Sequence, residues 1–277
     1  MTSSGGSTWR KLAGATWANP RDPQIYGDVD VDATAALAFI GEVRAATGVR
    51  VTMTHLVGKA IAHTLAAHPD LNVRMRRRRF VPRESVDIFF VAAVAGGDLS
   101  GVKVRDADRK SVVEIALELE ARVQRLRGGD DADFGATKRL FDLLPTRLLT
   151  AGFRLATWLT MDHDLDLRRF GLPHAAFGSA MVTSVGMFGI QHAYAPLSPY
   201  YRLAFLALVS EVTPRAVVVD GQVVPRPVLN IAATLDHRYL DGAQASRLAR
   251  TMRSYLEEPA AVEGKPAPPA ERPAQAT

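Results

Sequence analysis

The chain has 277 residues, of which 34 are Lys or Arg and 29 are Asp or Glu, and hydrophobic residues make up 47% of it. This balance is typical of an ordinary soluble globular chain, long enough for one large domain or two small ones. Because the sequence contains no cysteine, it excludes disulfides, thiolate metal sites and a cysteine nucleophile, and any thiol in its chemistry must come from a substrate.

The amino terminus is small and polar. Residues 1–8 are predicted to be disordered, and they lack the charged and apolar segments of a signal peptide, so we expect a cytoplasmic protein. The formal net charge of +5 favours anionic partners such as a nucleotide-bearing cofactor or a membrane surface. The sequence has no nucleic-acid-binding signature, and we expect no nucleic-acid partner.

Two helices are predicted in the first quarter of the chain, after a weakly alternating edge strand at 26–31. The first helix covers 32–47 and stops at Gly48, the residue type that most often ends a helix. The second helix begins near Thr54, is apolar on one face and ends before Pro69.

Three histidines accompany the second helix: His55, His63 and His68. Their spacings of eight and five residues do not stack metal ligands on one helical face. We interpret them as structural residues and predict no metal site.

A run of arginines at 74–79 stands between this helix and a strong strand at 86–95. Charge runs are usually exposed faces, so we interpret the run as a solvated hairpin strand that turns near Pro82 and Arg83. The alternative is a phosphate-attracting patch for a cofactor or for the surface of a partner. A strand at 99–104 follows.

A helix is predicted from Ser111 to about 127, because Ser111 and Glu114 have the spacing of a capping box. The next segment, 133–177, carries an apolar stripe at helical spacing. The stripe consists of Leu140, Leu144, Leu148, Leu155 and Trp158.

The stripe is interrupted by Arg147 and Arg154, so we expect no transmembrane segment. Three interpretations stay open: a helix that packs on the core or on a neighbouring subunit, a lid over a substrate channel, and a peripheral membrane helix. We favour the packing helix and expect it to restrict access to the site described below.

The last third of the chain is predicted to be mostly strands, at 179–186, 203–212 and 227–236. Asp220-Gly221 between them is typical of a type I′ hairpin turn. Beyond Glu258 the sequence is rich in Pro, Ala and Glu, so residues 259–277 are predicted to form a disordered tail.

Candidate chemistry concentrates between Asn230 and Ala243, where a strand pattern ends at His237. A histidine held at a strand end suits a general base, which must lie within hydrogen-bond reach of the proton it removes. The plainer interpretation is a half-buried histidine, followed by an Asp241–Gln244 capping box that opens the last helix. On spacing alone, the plainer interpretation is favoured.

The motif Asp236-His-Arg-Tyr-Leu-Asp-Gly242 resembles the D-H-R-x-x-D-G signature of the 2-oxoacid dehydrogenase acyltransferases, relatives of chloramphenicol acetyltransferase. Residues 178–190 resemble the G-T-F-T-I-S-N-L-G-M-F-G-I block of that family, and 59–72 its K-A-x-A-x-A-L-x-x-x-P-x-L-N helix. Three blocks in the family's order favour a catalytic His237. The resemblance implies that residues 9–258 form an acyltransferase catalytic domain with an added helical segment at about 133–177.

The resemblance implies an α/β sandwich of the chloramphenicol acetyltransferase-like type, in which a mostly β sheet is covered by helices on one face. It also implies a homotrimer with active sites between subunits, or a larger cage built from trimers. The reaction would be coenzyme A-dependent acyl transfer from a thioester to a thiol or hydroxyl acceptor.

The resemblance also assigns roles to single residues. His237 would be the general base, Thr183 the hydroxyl that stabilises the oxyanion, and Asp241 a residue that holds the loop, through an arginine such as Arg10 or Arg238. Ser184, Gly186 and Gly242 would contact the cofactor.

The acceptor is left open by the sequence. We expect no covalent lipoyl group on this chain, so a separate lipoyl-bearing protein or a small molecule would carry the acyl group. The alternatives to the dihydrolipoamide-type enzyme are a small-molecule acyltransferase and a non-catalytic trimeric scaffold of the same fold.

Overall fold

The computed structural model describes residues 23–77, 79–93, 99–127, 146–167, 176–198 and 200–264. The segments predicted to be disordered at 1–8 and beyond 264 lie outside the described residues.

Eight strands are described, of which six form one mixed sheet in the order β1-β8-β7-β6-β4-β5 and two form a separate hairpin, β2-β3. In the sheet, the β4–β6 and β6–β7 pairs are parallel and the other neighbours antiparallel. The strands are β1 (Gln24–Asp32), β2 (Val73–Arg76), β3 (Arg79–Pro82), β4 (Ile88–Ala93), β5 (Leu99–Val104), β6 (Ala180–Ser184), β7 (Phe205–Val219) and β8 (Gln222–Asp236).

Helices cover one face of this sheet. The α-helices among the described residues are α1 (Thr34–Thr47), α2 (Met53–Ala67), α3 (Val112–Arg127), α4 (Thr146–Thr157), α5 (Gly242–Glu257) and α6 (Pro259–Glu263). The main core lies between α1, α2, α3 and α5 and the sheet face formed by alternate strand residues such as Ile88, Val182 and Ile231. The predicted sheet covered by helices on one face is therefore confirmed.

The β7–β8 hairpin is longer than predicted, with 15 residues in each strand. Its turn has positive φ at both Asp220 and Gly221, 50° and 78°, as a type I′ turn requires. Pairing with β1 ends at Val228. The hairpin therefore extends past the edge strand as an arm, with Val218 and Val223 each 72% exposed.

The disordered tail was predicted to begin at residue 259, which is wrong because a short helix occupies the first five of those residues. Residues 259–263 form α6, and the Glu263 carboxylate is buried against the core. It accepts hydrogen bonds from the backbone N–H of Val112 at 3.1 Å and from the Tyr255 hydroxyl at 2.8 Å, and it lies 3.8 Å from the Lys59 ammonium. Composition pointed to disorder, but these distant partners fix the segment.

Within the added segment at about 133–177, the structure describes residues 146–167 and 176–177, so Leu140 and Leu144 of the predicted stripe lie outside the described residues. Here α4 continues into a π-helical turn at Trp158–Asp162, in which Thr160 and Met161 are buried. Leu148, Leu155 and Trp158 are 57%, 56% and 49% exposed. The favoured interpretation was a helix that packs on the core or on a neighbouring subunit. Packing on the chain's own core is therefore wrong for these residues, and packing on a neighbouring subunit stays a prediction.

None of the described helices is long and apolar enough to cross a membrane.

The arginine run forms the β2–β3 hairpin, as predicted, but the closed end of the hairpin is the Arg76–Arg79 pair and does not lie near Pro82 and Arg83. Arg77 takes a positive φ of 47° there. Pro82 pairs with Val73 at the open end of the hairpin, where an edge position tolerates its missing N–H.

Candidate active site

His237 is the first residue after β8, in a tight turn that its neighbours close. The Asp236 carboxylate accepts a hydrogen bond from the backbone N–H of Arg238 at 2.9 Å, and it binds the Arg238 guanidinium through Nε and Nη2. The backbone N–H of His237 donates to the Pro23 carbonyl at 2.9 Å. The turn is therefore held at three points, and it presents an exposed imidazole.

Asp241 caps α5. Its carboxylate accepts from the backbone N–H of Gln244 at 2.8 Å, and the Gln244 side chain accepts from the N–H of Asp241 at 2.9 Å. The capping box inferred from the spacing is confirmed. The structure pairs Arg238 with Asp236, and the suggestion that Asp241 acts through Arg238 stays a prediction; Arg10 lies outside the described residues.

The motif is also tied to the arginine hairpin. The Tyr239 hydroxyl accepts from the backbone N–H of Met75 at 3.0 Å, and its ring lies 5.7 Å from that of Phe80. Burial raises the pKa of Tyr239, so the hydroxyl stays protonated at neutral pH. Burial also lowers the pKa of the nearby Arg83 to about 10, which still leaves a full positive charge under the loop.

Thr183 lies in β6 on the sheet face opposite the helices, and Ser184 ends the strand. Strand register puts Thr183 beside Leu208, and Leu208 beside Ala232. His237 comes five residues after Ala232, so at about 3.3 Å per residue and 4.8 Å per strand its backbone lies on the order of 20 Å from that of Thr183. The structure does not bring the two residues together within one chain.

Gly186 and Gly242, two of the proposed cofactor-binding residues, differ in whether the surrounding structure has room for a side chain. A Cβ on Gly186 would lie 2.8 Å from the carbonyl oxygen of Ser210, so the close approach of the 186–188 turn to β7 needs glycine there. A Cβ on Gly242 would meet nothing within 4 Å. After Gly186 the short turn presents Met187 and Phe188 to solvent, at 77% and 66% exposure.

A comparison with protein-family models matches the parts of the chain that contain Thr183, His237 and Asp241. The family model described as 2-oxoacid dehydrogenases acyltransferase (catalytic domain) matches residues 16–132 and 172–263, well over half of the chain. The chain belongs to this family. The unmatched residues 133–171 contain α4 and the π-helical turn.

Among relatives of this acyltransferase-family chain is the dihydrolipoyllysine-residue acetyltransferase component of the acetoin cleaving system of Bacillus subtilis, 26% identical over 215 residues. The alignment covers 78% of the present chain and 44% of that protein, so the chain spans under half the length of this relative.

Two solved structures share the fold. One is the dihydrolipoamide acetyltransferase of Azotobacter vinelandii, in which the roles of a serine, a histidine and an asparagine in the catalytic mechanism were investigated. Its TM-score is 0.65 at 20% identity, with 87% of this chain and 84% of that chain covered. The other is a chloramphenicol acetyltransferase, with a TM-score of 0.50 at 13% identity and coverages of 85% and 89%.

The sheet face opposite the helices carries a polar network that sequence reasoning missed. The Asn230 amide donates to the carboxylates of Asp28 and Asp30 at 2.9 and 2.8 Å, and Arg215 pairs with Asp30 at 3.0 Å. The Tyr194 hydroxyl donates to Asp28 at 2.7 Å, and this bond and that from Asn230 lower the pKa of Asp28. In β1, Asp28 and Asp30 alternate with Val29 and Val31. This alternation is the sequence signal that could have revealed a polar face on the strand.

The three helix-associated histidines have structural partners. His55 completes a capping box with Thr52, His63 packs at 5.3 Å from the ring of Tyr255, and His68 contacts the Thr251 hydroxyl at 2.9 Å. Within the described part of the chain, no group of three or more His, Asp or Glu side chains could hold a metal ion.

A cavity of about 230 Å³ lies between the sheet and helices α2 and α5 of this acyltransferase-family fold. Its walls are mostly apolar, and small residues such as Gly27, Ala207, Ala233 and Ala249 are among them. None of the candidate catalytic residues lines it. The cavity is therefore separate from the candidate active site.

Proposed function

We propose that this chain transfers an acyl group from a coenzyme A thioester to a thiol acceptor, with His237 as general base. The observation that carries the proposal is the exposed His237 at the apex of a rigid turn, followed by a capped helix, in a chain of the acyltransferase family. A rigid turn lowers the entropy lost when the imidazole is aligned with a proton donor.

The chemistry needs a base and an oxyanion donor. A thiol with an ordinary pKa of about 8.5 is mostly protonated at pH 7, so His237 removes its proton as the sulfur attacks the thioester carbonyl. The carbonyl oxygen gains the negative charge of the tetrahedral intermediate and accepts a hydrogen bond from the Thr183 hydroxyl. Collapse of the intermediate breaks the original C–S bond, and the leaving thiolate takes the proton back from His237.

The separation of Thr183 and His237 supports a site shared by two subunits of a homotrimer. Within one chain the two residues lie too far apart to act on one carbonyl group. Exposed apolar residues on the 186–188 turn and the β7–β8 arm are available for subunit contacts. We therefore propose that Thr183 of one subunit faces His237 of the next.

Asp241 has a positioning role in this proposal. Its carboxylate caps α5 and so fixes the end of the loop that carries His237. An asparagine would keep the same side-chain oxygen as acceptor. Asparagine is the residue type investigated in the related enzyme of Azotobacter vinelandii.

The activity is tested with acetyl-, propionyl- and branched-chain acyl-CoA and dihydrolipoamide as acceptor. His237→Ala is expected to lower kcat by about 10²–10⁴-fold, because general base catalysis contributes that much. His163→Ala is the matched control, since this histidine lies in the segment outside the family match. Equal turnover in the His237→Ala variant and the wild type contradicts the assignment.

The shared site is tested by mixing subunits. Thr183→Val removes the hydroxyl but keeps the side-chain shape, and loss of one oxyanion donor costs about 10²–10³-fold in kcat. Trimers reassembled from Thr183→Val and His237→Ala subunits should regain activity, because some interfaces then combine an intact Thr183 with an intact His237. Mixed trimers that stay as inactive as their parents place both residues in one subunit's site.

Contacts of Ser184, Gly186 and Gly242 with coenzyme A remain part of the proposal. Titration calorimetry with coenzyme A should show binding by the wild type and weaker binding by Gly242→Val, a position with free space for the new side chain. An intact trimer that takes up no coenzyme A at millimolar concentration favours the non-catalytic scaffold instead.

A further inference from the structure

Helix α4 presents an apolar stripe to solvent. Leu148, Ala151, Leu155 and Trp158 follow each other at spacings of three or four residues, which puts them on one helical face. All four are exposed, and the three large ones are about half or more accessible. A stripe of this size normally packs against another surface.

The stripe is held in a fixed place on the chain. Asp164, just after the π-helical turn, pairs with Arg74 at 2.8 Å and Arg76 at 3.2 Å of the β2–β3 hairpin. Asp162 pairs with Arg202 at 3.0 Å, and the Trp158 ring lies 4.1 Å from that of His163. These contacts join the stripe and the hairpin into one surface, the α4–hairpin face.

The α4–hairpin face is basic. Among the described residues, its charged side chains are those of Arg74, Arg76, Arg77, Arg79, Arg154 and Arg202 and of Asp162, Asp164 and Asp166, six positive against three negative. The balance is +3, within a chain of +5. Arg79 and Arg154 are exposed, and Arg154 flanks the apolar stripe on the helix.

We propose that the α4–hairpin face docks on an anionic lipid surface. An apolar helical face with leucines and a tryptophan, bordered by arginines, is the pattern of helices that lie in the membrane interface. Tryptophan prefers the headgroup level, and arginines near it are attracted by anionic headgroups. At 12 residues, about 18 Å long, α4 lies along the surface and does not span the bilayer.

Charge favours lipid over a second copy of the chain. Two copies that each used this same face would bring two rims of the same sign together, whereas anionic headgroups complement them. The α4 side of the face lies on residues that the family model does not match, whereas the β2–β3 hairpin lies within the match. The inference does not depend on the proposed acyl transfer.

The test is sedimentation of the purified protein with vesicles of phosphatidylcholine alone or of phosphatidylcholine with phosphatidylglycerol. Wild-type protein should bind the anionic vesicles at least 10-fold more tightly, and binding should fall as salt is raised from about 0.05 to 0.5 M, where screening is strong. Leu155→Glu should lower the binding constant at least 10-fold. Because Leu155 is 56% exposed, this variant should keep the wild-type melting temperature.

Leu37→Glu is the matched control, the same leucine-to-glutamate change at another exposed helical position, on α1. It should bind vesicles within about twofold of wild type, and Arg79→Gln with Arg154→Gln should reduce the salt dependence. Equal loss in Leu155→Glu and Leu37→Glu overturns the proposal. The proposal is also overturned if the wild-type protein does not bind anionic vesicles and the Leu155→Glu variant alone has a changed oligomeric state.

Discussion

Ion pairs fasten two distant parts of this chain, the short helix α6 and the segment around α4. The Lys59–Glu263 pair at α6 is buried, with each side chain 8% exposed. The Asp164 pairs beside α4 involve side chains that are up to 35% exposed. The same kind of interaction therefore operates in two different environments.

The environment decides what each pair contributes. A buried charge that loses its partner keeps its desolvation cost without compensation, which destabilises the fold by about 3–5 kcal/mol. A solvent-exposed pair contributes about 0–1 kcal/mol, since water screens it and the side chains lose entropy. We infer that the α6 end belongs to the cooperative core and that the α4 segment is attached more weakly.

The largest expected effect is therefore at Glu263. Glu263→Ala leaves the Lys59 ammonium buried with only the backbone oxygens of Asp108 and Ala107 as acceptors, and it should lower the free energy of unfolding by about 3–5 kcal/mol. The measurement is urea denaturation followed by circular dichroism.

The control for this change lies in the same region. Glu257 forms an exposed i,i+4 pair with Arg253, so Glu257→Ala should cost about 0.3–0.5 kcal/mol. Similar losses in the Glu263→Ala and Glu257→Ala variants would remove the distinction between the two environments.

Local rules predicted the local features of this chain. The Asp241–Gln244 and Ser111–Glu114 capping boxes and the Asp220-Gly221 turn depend on neighbours a few residues apart, and all three formed as expected. The general fold class followed from a resemblance in three sequence blocks.

Long-range features could not be derived in the same way. Glu263 caps the start of α3 from 151 positions away, and no local signal distinguished residues 259–263 from a disordered tail. In the candidate site, the motif singled out His237 as a candidate, but it did not indicate that Arg238 pairs with Asp236, a contact that depends on the geometry of the turn.

The second prediction concerns how the stability of the core depends on pH through the buried side chain of His55. Burial, and then the charges of Arg50 and Arg44, lower the pKa of His55 to about 4 from 6.5. The unfolded chain therefore binds more protons than the folded chain between these values, so His55 contributes stability above pH 6.5 that is lost as pH falls towards 4.

The variant His55→Gln isolates this effect. Glutamine at this position can still accept from the Thr52 N–H, as the His55 ring nitrogen does at 3.3 Å, but it does not titrate. After a discount for partial exposure, the wild type should lose about 2 kcal/mol more than the variant between pH 7 and pH 4. Parallel pH profiles would show that His55 is not the responsible group.

A third, smaller effect is expected at Asp241, which is exposed but caps a helix of the core. Asp241→Ala should cost about 1 kcal/mol in thermal or urea unfolding, because the N–H of Gln244 loses its acceptor. Asp241→Asn should cost only a few tenths, since the amide oxygen can cap the helix equally well. If the asparagine variant is as unstable as the alanine variant, the charge matters more than the cap.

The smallest effect is expected on the α4 side, at Asp164. Asp164→Asn removes the charge that pairs with Arg74 and Arg76 but keeps a side-chain oxygen that can still accept a hydrogen bond. Global stability should fall by about 1 kcal/mol or less, because the carboxylate is 33% exposed. Limited proteolysis should nevertheless cleave the 146–167 segment faster, since local opening needs less free energy than global unfolding. A loss of 3 kcal/mol or more, as expected for Glu263→Ala, would mean that α4 unfolds together with the core, and the contrast between the two regions would disappear.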